Sequence, residues 1–92
     1  MSRASAQLIV TGTVQGVGYR WFCLQKARQL DIAGWARNNR DGSVELCVEG
    51  DRRRIEDFIE QLKIGPYSAS VSRVDITWQD PSGNFNSFDV TG

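Results

Sequence analysis

The sequence predicts an α/β (α+β) sandwich in which two helices cover one face of an antiparallel sheet. Segments with strand and helix character follow each other in the order β-α-β-β-α-β, and a short fifth strand follows at the C-terminus. Each helix connects two strands, and right-handed crossovers of this kind place the strands in the spatial order 4-1-3-2. This arrangement is the ferredoxin-like fold, and we expect residues 1–92 to form a single domain of this class.

The first strand is predicted over residues 6–13 and the first helix over residues 20–30. A continuous apolar run at residues 8–10 indicates a central strand that is partly covered on both sides. Asp31 stands where helices usually end on a left-handed Gly, a conformation that Asp tolerates at modest cost. The helix residues expected to face the core are Cys23, Ala27 and Leu30, with Trp21 and Phe22 at the flanks.

A β-hairpin is predicted over residues 32–39 and 43–49, because the intervening Asp41-Gly42 pair is a strong signal for a tight turn. Cys47, in its second strand, and Cys23 then lie on opposite faces of the sheet, so we expect no disulfide bond between them. The second strand of the hairpin alternates, so that Val44, Leu46 and Val48 face the helices whereas Glu45, Cys47 and Glu49 face the other side.

The second helix is predicted to begin at Gly50-Asp51, with Asp51 as its N-cap. The three arginines at residues 52–54 oppose the helix dipole, and Glu56 and Asp57 can compensate for them. We expect a solvated, self-paired face there, and a second anion or partner site is the alternative. The apolar residues of this helix form the clearest amphipathic pattern in the chain: Ile55, Phe58, Ile59 and Leu62.

The fourth strand is predicted over residues 69–79, after a Gly-Pro stop in the loop formed by residues 63–68. A turn or short linker is predicted over residues 80–84, and the fifth strand over residues 85–90. Val74, Ile76 and Trp78 share one face of the fourth strand.

Composition and charge narrow the class of protein. Eleven basic and eleven acidic residues cancel, which argues against a broad positive field for nucleic acid. The N-terminus lacks the apolar region of a signal peptide and no apolar run approaches the ~20 residues of a membrane span, so we expect a cytoplasmic protein without a membrane partner. The chain has no His and its two Cys lack metal spacing, so we expect no metal and no cofactor. A monomer is the default expectation.

Residues 12–20, with the sequence GTVQGVGYR, are the most informative stretch for function because they join a strand to a helix through three glycines. Glycine lets main-chain N–H groups approach a ligand closely, and the start of the following helix adds unpaired N–H groups and a positive dipole end. Such a pocket suits phosphate. Arg20 closes the stretch with a guanidinium that can bind phosphate in a bidentate way.

Two other kinds of Gly-rich loop are excluded by the neighbouring residues. A P-loop needs Lys followed by Ser or Thr after its last Gly, but Tyr19 and Arg20 follow Gly18 here. A dinucleotide fingerprint that starts at Gly16 would need Gly at the position of Trp21. The loop alone leaves open whether it binds an anion or is a structural turn without a ligand.

A second informative stretch, residues 34–44, has the pattern G-[aromatic]-x-x-N-x-x-x-G-x-V. Residues 12–20 have the pattern G-x-V-Q-G-V-x-[aromatic]-R, and residues 65–71 have the pattern G-P-x-x-A-x-V. With these three motifs, which together span most of the chain, the sequence closely resembles the acylphosphatase family.

The resemblance implies hydrolysis of the carboxyl-phosphate bond in small acyl phosphates, which releases a carboxylate and inorganic phosphate. It places the family's phosphate-binding arginine on Arg20 and its water-positioning asparagine on Asn38. Strand alternation points Asn38 and Asn39 to opposite faces, and the motif spacing selects Asn38. The resemblance also places the phosphate cradle on the backbone of Gln15, Gly16, Val17, Gly18, Tyr19 and Arg20.

The residues allow this chemistry independently of the resemblance. The leaving carboxylate of an acyl phosphate needs little protonation, so positioning and charge stabilisation suffice without a strong acid, a nucleophile or a metal. Arg20 and the loop N–H groups would hold the phosphoryl oxygens, and the Asn38 carboxamide can accept from an attacking water without acting as a base. We expect the substrate's own phosphate to receive the proton.

Three departures from the family pattern bear on the structure. Tyr19 stands where Phe is common, so its hydroxyl must find a partner or water. Gly18, in place of a bulkier residue, should make the loop more pliable. Residues 90–92 lack the basic or aromatic finish of many members, which argues against C-terminal support of Arg20.

The alternative function is a non-catalytic anion- or phosphate-binding module, or an RNA-binding module, on the same fold. RNA-binding domains of this fold stack bases on aromatic residues of the sheet, whereas the third strand here offers two acids and a cysteine. A small-ligand regulatory domain and carbamoyl-phosphate handling, as in larger hydrogenase-maturation proteins, are further alternatives. Because the chain contains no other domain, we expect a free-standing hydrolase.

Overall fold

A computed structural model describes residues 2–91 of the chain. The predicted order of helices and strands is confirmed, although β1 begins earlier and β5 later than predicted. The elements are β1 (Arg3–Thr13), α1 (Tyr19–Gln29), β2 (Ala33–Asn38), β3 (Val44–Asp51), α2 (Arg52–Ile64), β4 (Ser70–Gln79) and β5 (Phe88–Thr91).

The five strands form one sheet in the order β4-β1-β3-β2-β5, which confirms the predicted order of the first four strands. β1 pairs antiparallel with β3 and β4, and β2 pairs antiparallel with β3. These four strands are antiparallel, as predicted, whereas β5, whose direction was not predicted, runs parallel to β2 and makes the complete sheet mixed. β4 ends at the end of the sheet where β2 begins, and the chain after it crosses to the opposite edge at that same end, so β5 starts beside the start of β2.

The core lies between the two helices and one face of the sheet. The predicted inward residues of β3 and the predicted stripe of α2 are buried, whereas Leu30 is only half-buried. No helix within residues 2–91 is long and apolar enough to cross a membrane. The largest side chains with less than 2% exposure include Tyr19, Phe58, Leu8, Leu46, Ile55 and Leu62.

The start of α2 differs from the prediction in how its N–H groups are satisfied. Asp51 occupies the N-cap position, but its side chain makes no capping hydrogen bond. The N–H of Arg52 instead donates to the carbonyl of Ser2 at 2.9 Å, so the N-terminal end of the chain takes over part of the cap. Asp31, which follows α1, has φ 58°, and this confirms the predicted left-handed conformation.

The arginine run at residues 52–54 is largely paired, as expected for a solvated face. The guanidinium of Arg52 stacks on Trp78 at 3.8 Å from the ring centroid and lies 3.6 Å from Glu56. Arg54 lies 3.5 Å from Asp31. These exposed pairs offset the unfavourable placement of cations at a helix N-terminus.

The sheet face opposite the helices is partly covered by the connection between β4 and β5. Cys47 on this face and Cys23 on the other are both free, as expected. Glu49 is only 1% exposed, and its carboxylate is satisfied there by hydrogen bonds from the N–H groups of Ser82 and Gly83, both at 2.7 Å. The predicted turn at residues 80–84 is therefore anchored on a buried carboxylate.

Glu49 remains a strong acceptor in spite of its burial. Burial alone would raise the pKa of its carboxyl group, but the hydrogen bonds from Ser82 and Gly83 and the nearby Arg3 outweigh it and lower the pKa. Because the native pKa lies below the unfolded value, the carboxylate contributes its full stability above the unfolded pKa of about 4.3. That contribution is lost as the pH falls through the native pKa.

We predict that Glu49→Gln lowers the free energy of unfolding by about 1.5–3 kcal/mol at about pH 7. The variant loses the negative charge, and its NH2 group cannot accept a hydrogen bond from a backbone N–H as the second carboxylate oxygen does. Urea denaturation measures this loss of unfolding free energy. Near pH 3, which is below the unfolded pKa, the gap to the wild type should narrow, because protonation of this carboxylate in the unfolded chain then offsets part of the native contribution. Glu60→Gln is the control, since that side chain is 68% exposed and pairs with Lys63 at the surface. A gap of the same size at both pH values would contradict the proposed role of the charge.

Candidate active site

The loop between β1 and α1 leaves open space above its backbone. Gly16 and Gly18 have φ of 74° and 78°, a left-handed conformation that favours glycine, and Gly18 is the N-cap residue of α1. A Cβ added at either position would meet no atom within 4 Å. Both glycines are therefore required by backbone conformation and not by crowding, and the space beside them is free for a ligand.

The backbone of this loop offers unused hydrogen-bond donors. Within residues 2–91, none of the N–H groups of residues 15–20 donates to a protein acceptor. The first turn of α1 contributes some of these groups, and its positive dipole end lies at the same place. Such a concentration of free N–H groups at a helix start suits an anion.

The side chain of Gln15 ties the loop to the β2–β3 hairpin. Its Nε2 atom donates to the carbonyl of Asn39 at 2.6 Å and to the carbonyl of Ser43 at 2.9 Å. The turn itself is fixed by Asp41, which accepts from the N–H of Ser43 at 2.9 Å and from its hydroxyl at 2.6 Å. These bonds hold the glycine loop against the end of β2.

The other side of the loop is tied to the end of α2 and the chain that follows it. The hydroxyl of Tyr19 is buried and donates to the carbonyl of Leu62 at 2.8 Å, which supplies the partner that the sequence required. The hydroxyl of Ser68 donates to the carbonyl of Val17 at 2.8 Å. Gly65 lies close to the Tyr19 ring, where a Cβ would stand 3.4 Å from Cε1. The motif at residues 65–71 therefore has a structural role, because its Gly65 and Ser68 contact the glycine loop and Tyr19.

Arg20 and Asn38 line the same pocket, which has a volume of about 200 Å³. Arg20 lies in the first turn of α1, and its Nη1 donates to the carbonyl of Thr91 at 2.8 Å. The expectation that the C-terminus gives Arg20 no support was wrong, because a backbone carbonyl supplies it and needs no basic or aromatic side chain. Gly92, which belongs to the same expectation, lies outside the described residues.

Asn38 is the last residue of β2, and its carboxamide oxygen is buried without a hydrogen-bond partner within residues 2–91. Among the described residues, this oxygen is the only buried side-chain polar atom without a hydrogen-bond partner. A buried acceptor left unpaired costs about 1–3 kcal/mol, so a partner that the protein does not supply is expected. Asn39, by contrast, donates from its own side chain to Ser43 Oγ at 3.1 Å and does not line the pocket.

The pocket contains most of the residues predicted for the site and three that were not predicted. Gln15 and Val17 do not line it, since Gln15 acts as a tether and Val17 accepts from Ser68 through its carbonyl. Their N–H groups still belong to the set without protein acceptors. The lining residues are Val14, Gly16, Gly18, Tyr19, Arg20, Trp21, Asn38 and Val90.

Cys23 and Tyr19, the two titratable groups packed beneath the loop, are unsuited to nucleophilic or acid-base roles. Burial raises the pKa of the Cys23 thiol to about 12, so the thiolate that nucleophilic chemistry requires is absent near neutral pH. Burial also raises the pKa of Tyr19, with a smaller contribution from Cys23. Within residues 2–91, no group of three or more His, Cys, Asp or Glu side chains lies close enough together to hold a metal ion.

A larger pocket, of about 370 Å³, lies at the opposite end of α1. Its charged residues balance, with Arg3 and Arg28 beside Asp31 and Glu49. The Glu49 carboxylate there is already satisfied by the chain that follows β4. The smaller pocket, with its unpaired acceptor and free N–H groups, is therefore the better candidate.

Comparisons with known proteins agree on one family. The family model described as Acylphosphatase matches residues 6–90. The chain is 45% identical to a curated relative named Acylphosphatase from Thermococcus kodakarensis, over 100% of both chains. It resembles the crystal structure of acylphosphatase from Bacillus subtilis with a TM-score of 0.93 and 31% identity, covering 97% of this chain and 99% of the other. It also resembles part of full-length HypF in the phosphate- and nucleotide-bound form, with a TM-score of 0.90 and 27% identity, covering 99% of this chain but 12% of that one.

We predict that Gly18→Ala costs only about 1 kcal/mol of unfolding free energy, because the new Cβ enters open space and only the backbone conformation is strained. Gly34→Ala is the matched comparison, since its φ is 139° and its Cβ would overlap the carbonyl oxygen of Cys47. That variant should lose about 3 kcal/mol. Urea denaturation of both variants checks the difference. An equal loss would mean that the loop is closely packed and does not border an open pocket.

Proposed function

Because the chain belongs to the acylphosphatase family, we propose that the pocket formed by Arg20, Asn38 and the N–H groups of residues 15–20 is the site that hydrolyses acyl phosphates. The products are a carboxylate and inorganic phosphate. The observation that carries the assignment is the unpaired, buried carboxamide oxygen of Asn38 in the same pocket as a guanidinium. A phosphate held by Arg20 and a water held by Asn38 would satisfy both groups at once.

The phosphoryl group is bound by charge and by backbone donors. Arg20 and the free N–H groups of residues 15–20 contact its non-bridging oxygens. One donor of Arg20 is engaged by the carbonyl of Thr91, which orients the guanidinium while its other donors remain for the substrate. These donors are already in place before the reaction, so they stabilise the charge that develops in the transition state without reorganising.

Asn38 positions the attacking water. Its carboxamide oxygen accepts a hydrogen bond from the water, but an amide takes no proton near neutral pH, so Asn38 is not a base. The water oxygen forms a bond to phosphorus as the bond between phosphorus and the carboxylate oxygen breaks. The carboxylate leaves with the electron pair, and the water proton passes to an oxygen of the substrate's phosphoryl group. The weakly basic leaving group needs no acid, and we expect no metal requirement.

We further propose that the protein acts as a cytoplasmic monomer without a nucleic-acid partner. Two free thiols are compatible with a reducing compartment. The net charge of zero provides no broad attraction for nucleic acid. On the sheet face that an RNA-binding domain would use, Glu45 is held by Gln7 at 2.8 Å and by Arg37 at 3.0 Å. β3 contributes two acids and a cysteine to this face, and Trp35, which β2 adds there, stacks with Arg37 at 5.0 Å from the ring centroid.

The proposed roles are tested by hydrolysis of benzoyl phosphate in the presence of a metal chelator. The wild-type protein should hydrolyse benzoyl phosphate, and inorganic phosphate should inhibit this hydrolysis. Arg20→Gln should lower kcat/KM by about 10²–10³-fold, because it removes the main charge that stabilises the transition state. Asn38→Ala should lower kcat by about 10²-fold, because the water loses its acceptor.

Two residues that do not line the pocket provide matched controls. Arg28→Gln removes an exposed arginine from the same helix, and Asn39→Ala removes the adjacent carboxamide outside the pocket while keeping the carbonyl that Gln15 uses. Both variants should retain most of the wild-type rate. Turnover that survives Arg20→Gln would overturn the phosphate assignment. A folded wild type without turnover that still binds phosphate would instead identify a non-catalytic phosphate-binding module.

A further inference from the structure

Trp21 is a large aromatic side chain that the fold does not bury. It is 62% exposed, whereas its neighbour Tyr19 is 1% exposed. The buried residues of α1 are Tyr19, Cys23, Leu24 and Ala27, and Trp21 lies outside that stripe. Within residues 2–91 its ring takes part in none of the aromatic or cation–π contacts of the structure. Packing and stability therefore give no reason for a tryptophan at this position.

The position of Trp21 is nevertheless special, because it lines the candidate active site directly after Arg20. Two other apolar residues, Val14 and Val90, also line the pocket. Val14 is buried beneath the loop, whereas Val90 is only partly buried. The pocket therefore combines a polar part, made of Arg20, Asn38 and N–H groups, with an apolar part at which Trp21 remains accessible.

The size of the pocket indicates which part of a substrate meets which residues. Sites that enclose a drug-sized ligand have volumes of roughly 300–1,000 Å³, and this pocket has about 200 Å³. It can enclose a phosphoryl group while the rest of the substrate extends to the rim. Arg20 and the N–H groups fix the phosphoryl end, so the acyl group is the part that reaches an accessible side chain.

We propose that Trp21, together with Val90, binds the acyl group and makes the enzyme prefer acyl phosphates with an aromatic acyl group over acetyl phosphate. This inference rests on the proposed function of the pocket and deepens it by naming a substrate class. A flat aromatic acyl group can stack on the exposed indole, whereas an acetyl group offers too little surface. The contact is the same before and during phosphoryl transfer, so it contributes to substrate binding and not to the chemical step.

Steady-state kinetics with benzoyl phosphate and acetyl phosphate test the inference. Trp21→Ala should raise KM for benzoyl phosphate about tenfold and leave its kcat nearly unchanged, since uniform binding is lost. Both constants for acetyl phosphate should stay near the wild-type values. Trp21→Phe should restore most of the affinity for benzoyl phosphate. The control is Ile64→Ala, because Ile64 is 72% exposed but does not line the pocket.

A binding measurement separates this inference from the proposed reaction. Titration with benzoylphosphonate, which cannot be hydrolysed, should show about tenfold weaker binding to Trp21→Ala than to wild type, whether or not the wild type turns over. Equal losses for benzoyl and acetyl phosphate would overturn the inference, because they would place the effect on the shared phosphoryl end. An unchanged affinity of Trp21→Ala for benzoylphosphonate would overturn it as well, while leaving the roles of Arg20 and Asn38 intact.

Discussion

The pair of hydrogen bonds from the Gln15 carboxamide is the interaction on which the geometry of the site depends. β1 and β2 are not neighbours, because β3 lies between them, so no strand pairing connects the glycine loop to the end of β2. Gln15 bridges that gap by donating to the carbonyls of Ser43 and Asn39 on the two sides of the hairpin turn. This side chain and the turn it contacts therefore link the loop that bears Arg20 directly to the strand end that bears Asn38.

The proposed site is built mainly from backbone groups, so the proposed reaction does not depend on histidine. Free N–H groups and the start of α1 supply positive potential, and only Arg20 and Asn38 need to contribute side chains. Backbone donors are rigid when the loop is held from several directions, as it is here by Gln15, Ser68 and Tyr19. Electrostatic preorganisation of this kind requires no proton transfer by the protein. An acyl phosphate is a suitable substrate for such a site because its leaving group is already a weak base.

Much of the fold could be predicted from local signals, and the failures share a physical cause. The stripe of α2, the turn at Asp41-Gly42 and the left-handed Asp31 depend on residues close in sequence. The burial of Glu49 depends on N–H groups more than thirty residues away, and the support of Arg20 comes from a carbonyl 71 residues away. Every residue carries a backbone N–H or carbonyl, so residue type does not reveal which one will be used. Motif spacing could select Arg20 and Asn38, whose roles remain predictions, whereas the exposure of Trp21 depends on tertiary packing that the motif does not encode.

The fifth strand, whose direction was not predicted, completes the arrangement around Arg20. Because β5 runs parallel to β2, the carboxyl ends of both strands lie at the same end of the sheet. In that register Thr91 pairs with Arg37, the residue before Asn38. The carbonyl that orients Arg20 and the carboxamide assigned to the water therefore stand on adjacent strands.

An antiparallel β5 would have placed its first residue, and not Thr91, beside the end of β2, and the guanidinium would have lacked this acceptor. The crossing chain that Glu49 anchors is what allows the parallel direction, so a buried carboxylate far from the pocket contributes to the position of the arginine within it.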